Sequence, residues 1–268
     1  WSSHTRTLNM AELRAVHVSS IGLLTGAGIG ADGAGALPPG PVSGFRARRY
    51  VEDRKSLKLM STSVRLGVAA IQLALDGVDD WREVPPDRRG LFVGASPQPG
   101  DPEDLEPALA AALGDDGAFD IMRFAKDGYP LIHPLWLVRG LSNNIIGFAS
   151  AIHDLQGVNM NYCDGVAGGL TALREGVLAI AEGRADLVIA GGADVWTGAE
   201  ALLDGHPCGD GAAFVVLRPG GPCVRAEIDA LIGQEPPGDG VFLGSATWPV
   251  AMARSWVRAG RGRVEGGA

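Results

Sequence analysis

The sequence predicts an α/β fold, because residues 157–194 have the pattern of a strand, a turn, a helix and a second strand. Large side chains alternate with polar ones at its start, which is the period of a strand: Val158, Met160 and Tyr162. Apolar residues then recur at spacings of three and four over 167–182, which is typical of a helix with one buried face. A short apolar run at 186–190, closed by Gly191 and Gly192, predicts a second buried strand.

The same patterns predict further elements along the chain. In order, they are a strand at 15–25, a helix at 60–75, a strand at 90–95, a short helix at 105–114 and a strand at 222–232. Strands that alternate with helices in this way are typical of a layered sheet covered by helices.

The composition is that of one soluble domain, with 46% hydrophobic residues in 268 and no apolar run long enough to span a bilayer. A net charge of −8 argues against nucleic-acid binding. Three widely spaced cysteines and the lack of a signal peptide predict a reducing, cytoplasmic location. Residues 1–9 differ in composition from the rest, so we expect an added or disordered tail there and a single domain over 10–268.

Residues 164–192 resemble the core of the β-ketoacyl synthases, the thiolase-fold condensing enzymes of fatty acid and polyketide synthesis. DGVAGGLTAL at 164–173 lies without a gap on the family pattern T-A-C-S-S-S-L-x-A-L, and GRADLVIAGG at 183–192 matches G-x-A-D-x-x-x-A-G-G. PCGDGAAFVVL at 207–217 resembles a further motif, P-F-G-E-G-A-G-x-x-V-L. The resemblance implies a thiolase-like layered fold with a complete first half, βαβαβαββ.

The resemblance also indicates that the catalytic residues are missing. The nucleophilic cysteine of the family falls on Val166, which has no group for covalent catalysis. GVFLGSAT at 240–247 resembles G-H-x-x-G-A-A-G with Val241 at the histidine, and nothing resembles the other histidine motif, H-G-T-G-T. We therefore expect a truncated second half and no condensing activity. Cys163 is the alternative nucleophile, if the turn carries an insertion that brings it to the helix N-terminus.

Two surfaces are expected to bind partners. In ketosynthases the strand equivalent to 157–162 pairs with its copy across a two-fold axis, which predicts a homodimer or a heterodimer with a ketosynthase through 157–162 and 134–148. Trp136 belongs to this interface, with core packing as the alternative. Basic residues form two candidate docking sites for an acidic acyl carrier protein, with a solvated face as the simpler interpretation: Arg46, Arg48 and Arg49, and separately Arg254, Arg258, Arg261 and Arg263.

Helix 167–182 is expected to be partly open, with the alternative that its charged residues find buried partners of opposite charge in a surviving second layer. In the full family fold this helix is packed on all sides, but Arg174 and Glu175 lie off its apolar stripe. Adjacent residues do not face each other on a helix, so the two charges are not expected to pair with each other.

Three functions remain open from the sequence. The first is a non-catalytic partner subunit in fatty acid or type II polyketide biosynthesis, like the chain-length factors. The second is an enzyme of altered acyl chemistry that uses Cys163. The third is a stand-alone module that binds an acyl carrier protein or acyl-CoA. No cofactor and no metal are expected, because His206 and Cys208 are followed by no second pair with ligand spacing.

Overall fold

A computed structural model describes residues 13–96, 104–232, 234 and 241–264. The expected tail at 1–9 lies outside the described residues. Within them, seven strands form one mixed sheet. The strands are β1 (Val16–Thr25), β2 (Gly28–Ile29), β3 (Arg89–Gly94), β4 (Asn159–Tyr162), β5 (Leu187–Val195), β6 (Asp210–Pro219) and β7 (Arg263–Val264).

The strands lie in the order β2-β1-β6-β5-β3-β4, and β7 pairs with β1. The parallel strands β4, β3 and β5 form one half, and β6 is antiparallel to both β5 and β1. The helices are α1 (Arg54–Leu59), α2 (Thr62–Asp76), α3 (Glu106–Ala111), α4 (Ile121–Arg123), α5 (Trp136–Arg139), α6 (Asn144–His153), α7 (Gly168–Ala181), α8 (Arg225–Asp229) and α9 (Thr247–Arg258). The predicted α/β class is confirmed.

Helices cover both faces of the sheet. On one face, α2 and α6 build a core that includes the fully buried Leu66, Ile71 and Phe214. On the other face, α7, α8 and α9 build a second core around Leu173 and Ile180. Burial of this apolar surface on both sides of the sheet stabilises the layered arrangement.

The end of α7 is fixed by Gly183, which has a φ of +75° that other residues rarely adopt. Its N–H donates to the carbonyl of Ile180, and the N–H of Arg184 donates to that of Ala179. These two bonds satisfy carbonyls that the helix end leaves free, as in a Schellman motif. The chain then turns directly into β5, as the sequence predicts.

The strand predicted to close at Gly191 and Gly192 in fact continues through them to Val195, so that boundary was wrong. These glycines serve close packing instead of a turn. A Cβ on Gly191 would lie 2.0 Å from the carbonyl oxygen of Ala213, and one on Gly192 would lie 2.5 Å from that of Ser245. Neighbouring backbone therefore lies where a side chain would be.

The strand predicted at 222–232 was also wrong, because α8 occupies this segment. Ile228 of α8 and Val224, the residue just before the helix, are both buried and lie four residues apart, which is helical spacing. Arg225 and Asp229 form an i,i+4 ion pair on the outer surface at 3.4 Å. The apolar residues of this segment thus follow the helical period and not alternation.

The prediction that α7 is partly open is confirmed. The side chains of Arg174 and Glu175 are 44% and 28% exposed. They do pair with each other at 3.1 Å, against expectation, because long exposed side chains bend toward each other outside the helix cylinder. Arg174 also lies 3.6 Å from Asp229 of α8. Short helices, rather than a second sheet, cover α7 within the described residues.

Candidate functional site

Two tight turns meet beside the N-terminus of α7. A turn of 3-10 helix at Gly165–Ala167 precedes α7, and a similar turn at Gly244–Ala246 precedes α9. The hydroxyl of Ser245 donates to the carbonyl oxygen of Gly165 over 2.8 Å. Gly169 allows this close approach, because a Cβ there would lie 2.1 Å from the carbonyl oxygen of Ser245. The two motifs that the sequence analysis aligned with catalytic segments are therefore in contact.

Asp194 holds the second turn against the ends of β3 and β5. Its buried carboxylate accepts the backbone N–H of Ser96 at 3.0 Å, the hydroxyl of Ser96 at 2.6 Å and the backbone N–H of Ser245 at 2.6 Å. Burial raises the pKa of Asp194, while the bonds from Ser96 and Ser245 lower it. Sequence reasoning gave Asp194 no role, although a carboxylate near the end of a buried strand indicates that it has buried donors.

Within the turns at Gly165–Ala167 and Gly244–Ala246, the side chains are aliphatic, apart from the hydroxyl of Ser245. Val166 is half-buried against the core on the α7 side. Val241 is half-buried beside Gly209 and lines a small cavity with Leu37 and Leu243. Neither valine can attack a carbonyl or transfer a proton. The geometry at these two positions supports packing and no acid–base chemistry.

Cys163 is exposed and lies just after β4. Its sulfur accepts the amide N–H of Asn161 at 3.0 Å and donates to the hydroxyl of Ser142 at 3.0 Å. In the part of the chain that the structure describes, no histidine hydrogen-bonds to this thiol. The group is therefore accessible but lacks the adjacent base that activates a nucleophilic cysteine.

Strand β4 forms one end of the sheet and pairs only with β3 among the described strands. The three predicted interface residues differ in exposure. Val158 and Tyr162 pack partly against the core on the α7 side, while Met160 is 53% exposed. Trp136 is half-buried, and its indole N–H is buried without a hydrogen-bond partner among the described groups.

Exposed apolar side chains are concentrated in the segment that leads to α6. Eleven large ones lie between residues 109 and 141: Leu109, Leu113, Phe119, Ile121, Met122, Tyr129, Leu131, Leu135, Leu137, Val138 and Leu141. Several of these are more than half exposed, Met122 at 73% and Leu137 at 69% among them. Apolar exposure of this extent is typical of a surface that binds another protein.

The first predicted set of basic residues lines a cleft, which we call the basic cleft. Its volume is about 840 Å³. The lining combines Arg46, Arg48 and Arg49 with residues from α1 and α2: Arg54, Lys55, Leu57, Lys58 and Arg65, together with Ala47. Sequence reasoning missed Arg65, because it lies within the apolar pattern of α2 and outside residues 45–58, where the other basic residues of the cleft are concentrated.

The second predicted set does not form a free basic surface. Arg254 is only 6% exposed and donates to the carbonyl of Gly35 at 2.8 Å, and Arg258 donates to that of Ala34 at 2.9 Å. Burial, followed by the charge of Arg258, lowers the pKa of Arg254. These two arginines tie α9 to the loop after β2, so a docking role for Arg254 was wrong. In the same set, Arg261 pairs with Glu227 and Arg263 with Asp79.

The remaining titratable candidates are structural. His153 is 4% exposed and packs edge-on against Trp81, and Cys208 is buried with its thiol donating to the carbonyl of His206. Over the described ranges, no group of three or more His, Cys, Asp or Glu residues is placed to hold a metal ion. No helix in these ranges is both long and apolar enough to cross a membrane.

A comparison with protein-family models matches residues 42–209, more than half of the chain, to the N-terminal domain of β-ketoacyl synthases. No curated protein matches the sequence.

Solved structures share the fold at low sequence identity. A type II polyketide synthase acyl-carrier protein in complex with its ketosynthase bound to the hexaketide has a TM-score of 0.63, 17% identity and coverage of 77% of this chain and 62% of that one. The ishigamide ketosynthase/chain length factor has a TM-score of 0.63 and 18% identity, and the match covers 77% of this chain and 59% of that one. A β-ketoacyl synthase from Burkholderia phymatum STM815 has a TM-score of 0.60 and 18% identity, and the match covers 78% of this chain and 60% of that one. The predicted thiolase-like fold is thus confirmed, and the matched residues span about three fifths of these chains.

Proposed function

Because this chain belongs to the β-ketoacyl synthase family, we propose that it is a non-catalytic partner subunit that pairs with an active ketosynthase and its acyl carrier protein. Its place would be in fatty acid or type II polyketide biosynthesis. The lack of a nucleophile at Val166 and of a histidine at Val241 supports the non-catalytic part of the proposal. The similar structures that contain a chain length factor or a carrier protein support the choice of partners through their fold alone.

The observation that carries the proposal is the open strand β4 together with the exposed apolar segment between residues 109 and 141. An unpaired strand edge offers a row of free N–H and C=O groups to a second chain. Apolar side chains such as Leu137 and Met122 would leave water when that chain binds. A stable subunit interface buries about 800 Å² of accessible surface on each partner. Strand β4 and the exposed apolar segment together provide a strand edge and an apolar surface for such an interface.

The basic cleft supports the carrier protein as the second partner. Arg46, Arg48 and Arg49 are exposed in a chain whose net charge is −8, so they form a local positive region on an acidic molecule. Such a region steers an acidic partner to one side of the protein, and its effect falls with ionic strength.

The assembly is tested by sedimentation of the chain alone and mixed with a purified ketosynthase from the same host. We expect a dimer or a 1:1 complex for the wild type. Leu137→Glu and Met160→Glu should each weaken it at least tenfold, because a carboxylate would be buried without a partner. Leu202→Glu is the matched control, since Leu202 is 80% exposed and lies on the turn after β5. A monomer at all concentrations, with no complex, would contradict the proposal.

One observation favours the second function, an enzyme that uses Cys163. The thiol is exposed, and its sulfur lies 3.0 Å from the amide nitrogen of Asn161 and 3.0 Å from the hydroxyl of Ser142, so it is open to an acyl donor and held in one position. Incubation with acyl-thioesters followed by mass spectrometry tests this function. A single acyl adduct that Cys163→Ala abolishes and Cys223→Ala leaves unchanged would establish it in place of the non-catalytic role. Cys223 is the matched control because it is also exposed and free.

A further inference from the structure

Seven cationic side chains of the basic cleft face one concave space: Arg46, Arg48, Arg49, Arg54, Lys55, Lys58 and Arg65. Across the described ranges, none of the seven lies within 4.0 Å of a carboxylate oxygen as an ion pair. By contrast, basic residues elsewhere, such as Arg88 and Arg218, each contact an aspartate. The cleft is therefore a concentration of positive charge in which, over the described residues, no cation is neutralised by a direct ion pair.

Local structure fixes the backbone of the cleft and one of these side chains. The turn Ala47–Arg49 and helix α1 form the sides, and Arg65 of α2 donates to the carbonyl of Leu57 at 3.0 Å. The nearby carboxylate of Asp53 accepts the backbone N–H groups of Lys55 and Ser56 and the hydroxyl of Ser56. Those bonds, the Ser56 hydroxyl first, and the charge of Lys55 lower the pKa of Asp53, so this carboxylate caps the start of α1 and lies near one of the seven cations.

The charge balance indicates an anionic ligand. The whole chain carries −8, so the residues outside these seven cations carry −15 (−8 minus +7). Like charges brought together in one cleft repel one another, and a ligand with several negative charges removes that repulsion. Arginine binds phosphate oxygens with two parallel N–H donors, and five arginines line this cleft.

The shape indicates a small ligand. A cleft of about 840 Å³ lies in the range of small-molecule sites. Leu57, Ala47 and the alkyl parts of the basic side chains form an apolar lining on which an uncharged ring can pack.

We propose that the basic cleft binds a small molecule of nucleotide size that carries two or more phosphate groups. This inference goes beyond the proposed function, since it names a ligand that is neither the ketosynthase nor the carrier protein. The phosphates lie among the arginines of the turn and α1, and the uncharged part of the ligand packs on Leu57.

Isothermal titration of the whole chain tests the inference with ADP, inorganic pyrophosphate and adenosine. ADP and pyrophosphate should bind, adenosine should not, and rising salt should weaken both complexes. Arg54→Glu and Lys58→Glu should each lower the affinity for ADP by at least about tenfold, because charge-assisted hydrogen bonds are lost. Lys126→Glu changes net charge equally at an exposed site outside the cleft and should change the affinity less than twofold. Circular dichroism confirms that each variant is folded.

The outcomes separate this inference from the proposed function. No binding of ADP or pyrophosphate at low salt, or equal losses in Lys126→Glu and Arg54→Glu, would overturn the inference. A complex with a ketosynthase or carrier protein would persist in that case and leave the proposed function standing. Phosphate binding in a chain that forms no complex would support the inference and contradict the partner-subunit function.

Discussion

The hydroxyl of Ser245 bonds to the backbone of Gly165 across 80 positions of sequence. This contact joins the turn before α9 to the turn before α7. Asp194 anchors the same serine through its backbone N–H at 2.6 Å. The arrangement of the two helices therefore depends on a few buried polar contacts and on glycines that leave room for them.

Gly169→Ala should destabilise the protein by about 1–3 kcal/mol, the usual cost of overpacking. The added Cβ would lie 2.1 Å from the carbonyl oxygen of Ser245 and 2.5 Å from Pro249. Gly147→Ala is the control, because a Cβ in the middle of α6 meets nothing within 4 Å. That control should be neutral or stabilising by about 0.5–1 kcal/mol. Chemical denaturation measures both, and equal effects would contradict the contact.

His153 should make stability depend on pH in mildly acidic solution. Burial, and then the charge of Arg82, lowers the pKa of His153 from 6.5 to about 4. Between these values the unfolded chain takes up a proton that the folded chain does not, so stability should fall as pH falls from 6.5 to 4. The loss has an upper limit of about 3 kcal/mol.

His153→Leu should remove that pH-dependent loss, as measured by urea unfolding at a series of pH values. His206→Gln, which removes an exposed histidine, controls for the loss of one titrating group. An identical change of slope in the two variants would show that burial of His153 is not the cause.

Asp186 should stabilise the fold at neutral pH and less so in strong acid. Hydrogen bonds from Arg88 and then from Arg14 lower the pKa of Asp186 to about 2. The folded state therefore holds the charged form more strongly than the unfolded state. This stabilisation is present above pH 3.8 and is lost as pH falls toward 2.

Asp186→Asn should cost on the order of 1 kcal/mol at pH 7, a figure discounted because the side chain is 38% exposed. Asp115→Asn removes a pair with Arg123 in which the aspartate is 94% exposed, and should cost almost nothing. Thermal unfolding at pH 7 compares the two variants. A larger loss in Asp115→Asn would contradict the assignment.

The isolated chain should show no decarboxylative condensation of acyl-thioesters, because valines stand at positions 166 and 241. Radiolabelled substrate and product chromatography measure this. Activity that survives Cys163→Ala would contradict the alignment of Val166 with the family nucleophile. Activity that Cys163→Ala abolishes would assign the chemistry to the thiol after β4.

Local periodicity was enough to predict most of the sheet and the main helices. Strands β1, β3 and β4 and helices α2 and α7 lie within a few residues of their predicted bounds. Alternation and 3.6-residue spacing result from burial, so they appear in the sequence wherever one face is buried. The strand predicted at 222–232 failed because its run of apolar residues is too short to separate the two periods.

Less of the candidate site than of the fold could be predicted from the sequence. Charge alone suggested both basic sets, but only packing distinguishes Arg254, which is buried against Gly35, from Arg48, which is exposed in the cleft. The role of Asp194 depends on Ser96 and Ser245, which are 98 and 51 positions away. Contacts at such separations are set by the topology of the sheet, and no local pattern contains them.

The position of β1 in the sheet has a consequence for biosynthesis. Val16 pairs with Pro219 in β6, about 200 residues later. Of the strands that the structure shows beside β1, only the two-residue β2 is synthesised before β6. At about 5–20 residues per second on the ribosome, β1 waits roughly 10–40 s for its main partner. Until then its apolar side chains, such as Ile21 and Leu23, lack the strand beside which they are buried in the folded protein. Slower elongation would lengthen this interval, so soluble yield should depend on translation rate and on chaperones that bind extended apolar segments.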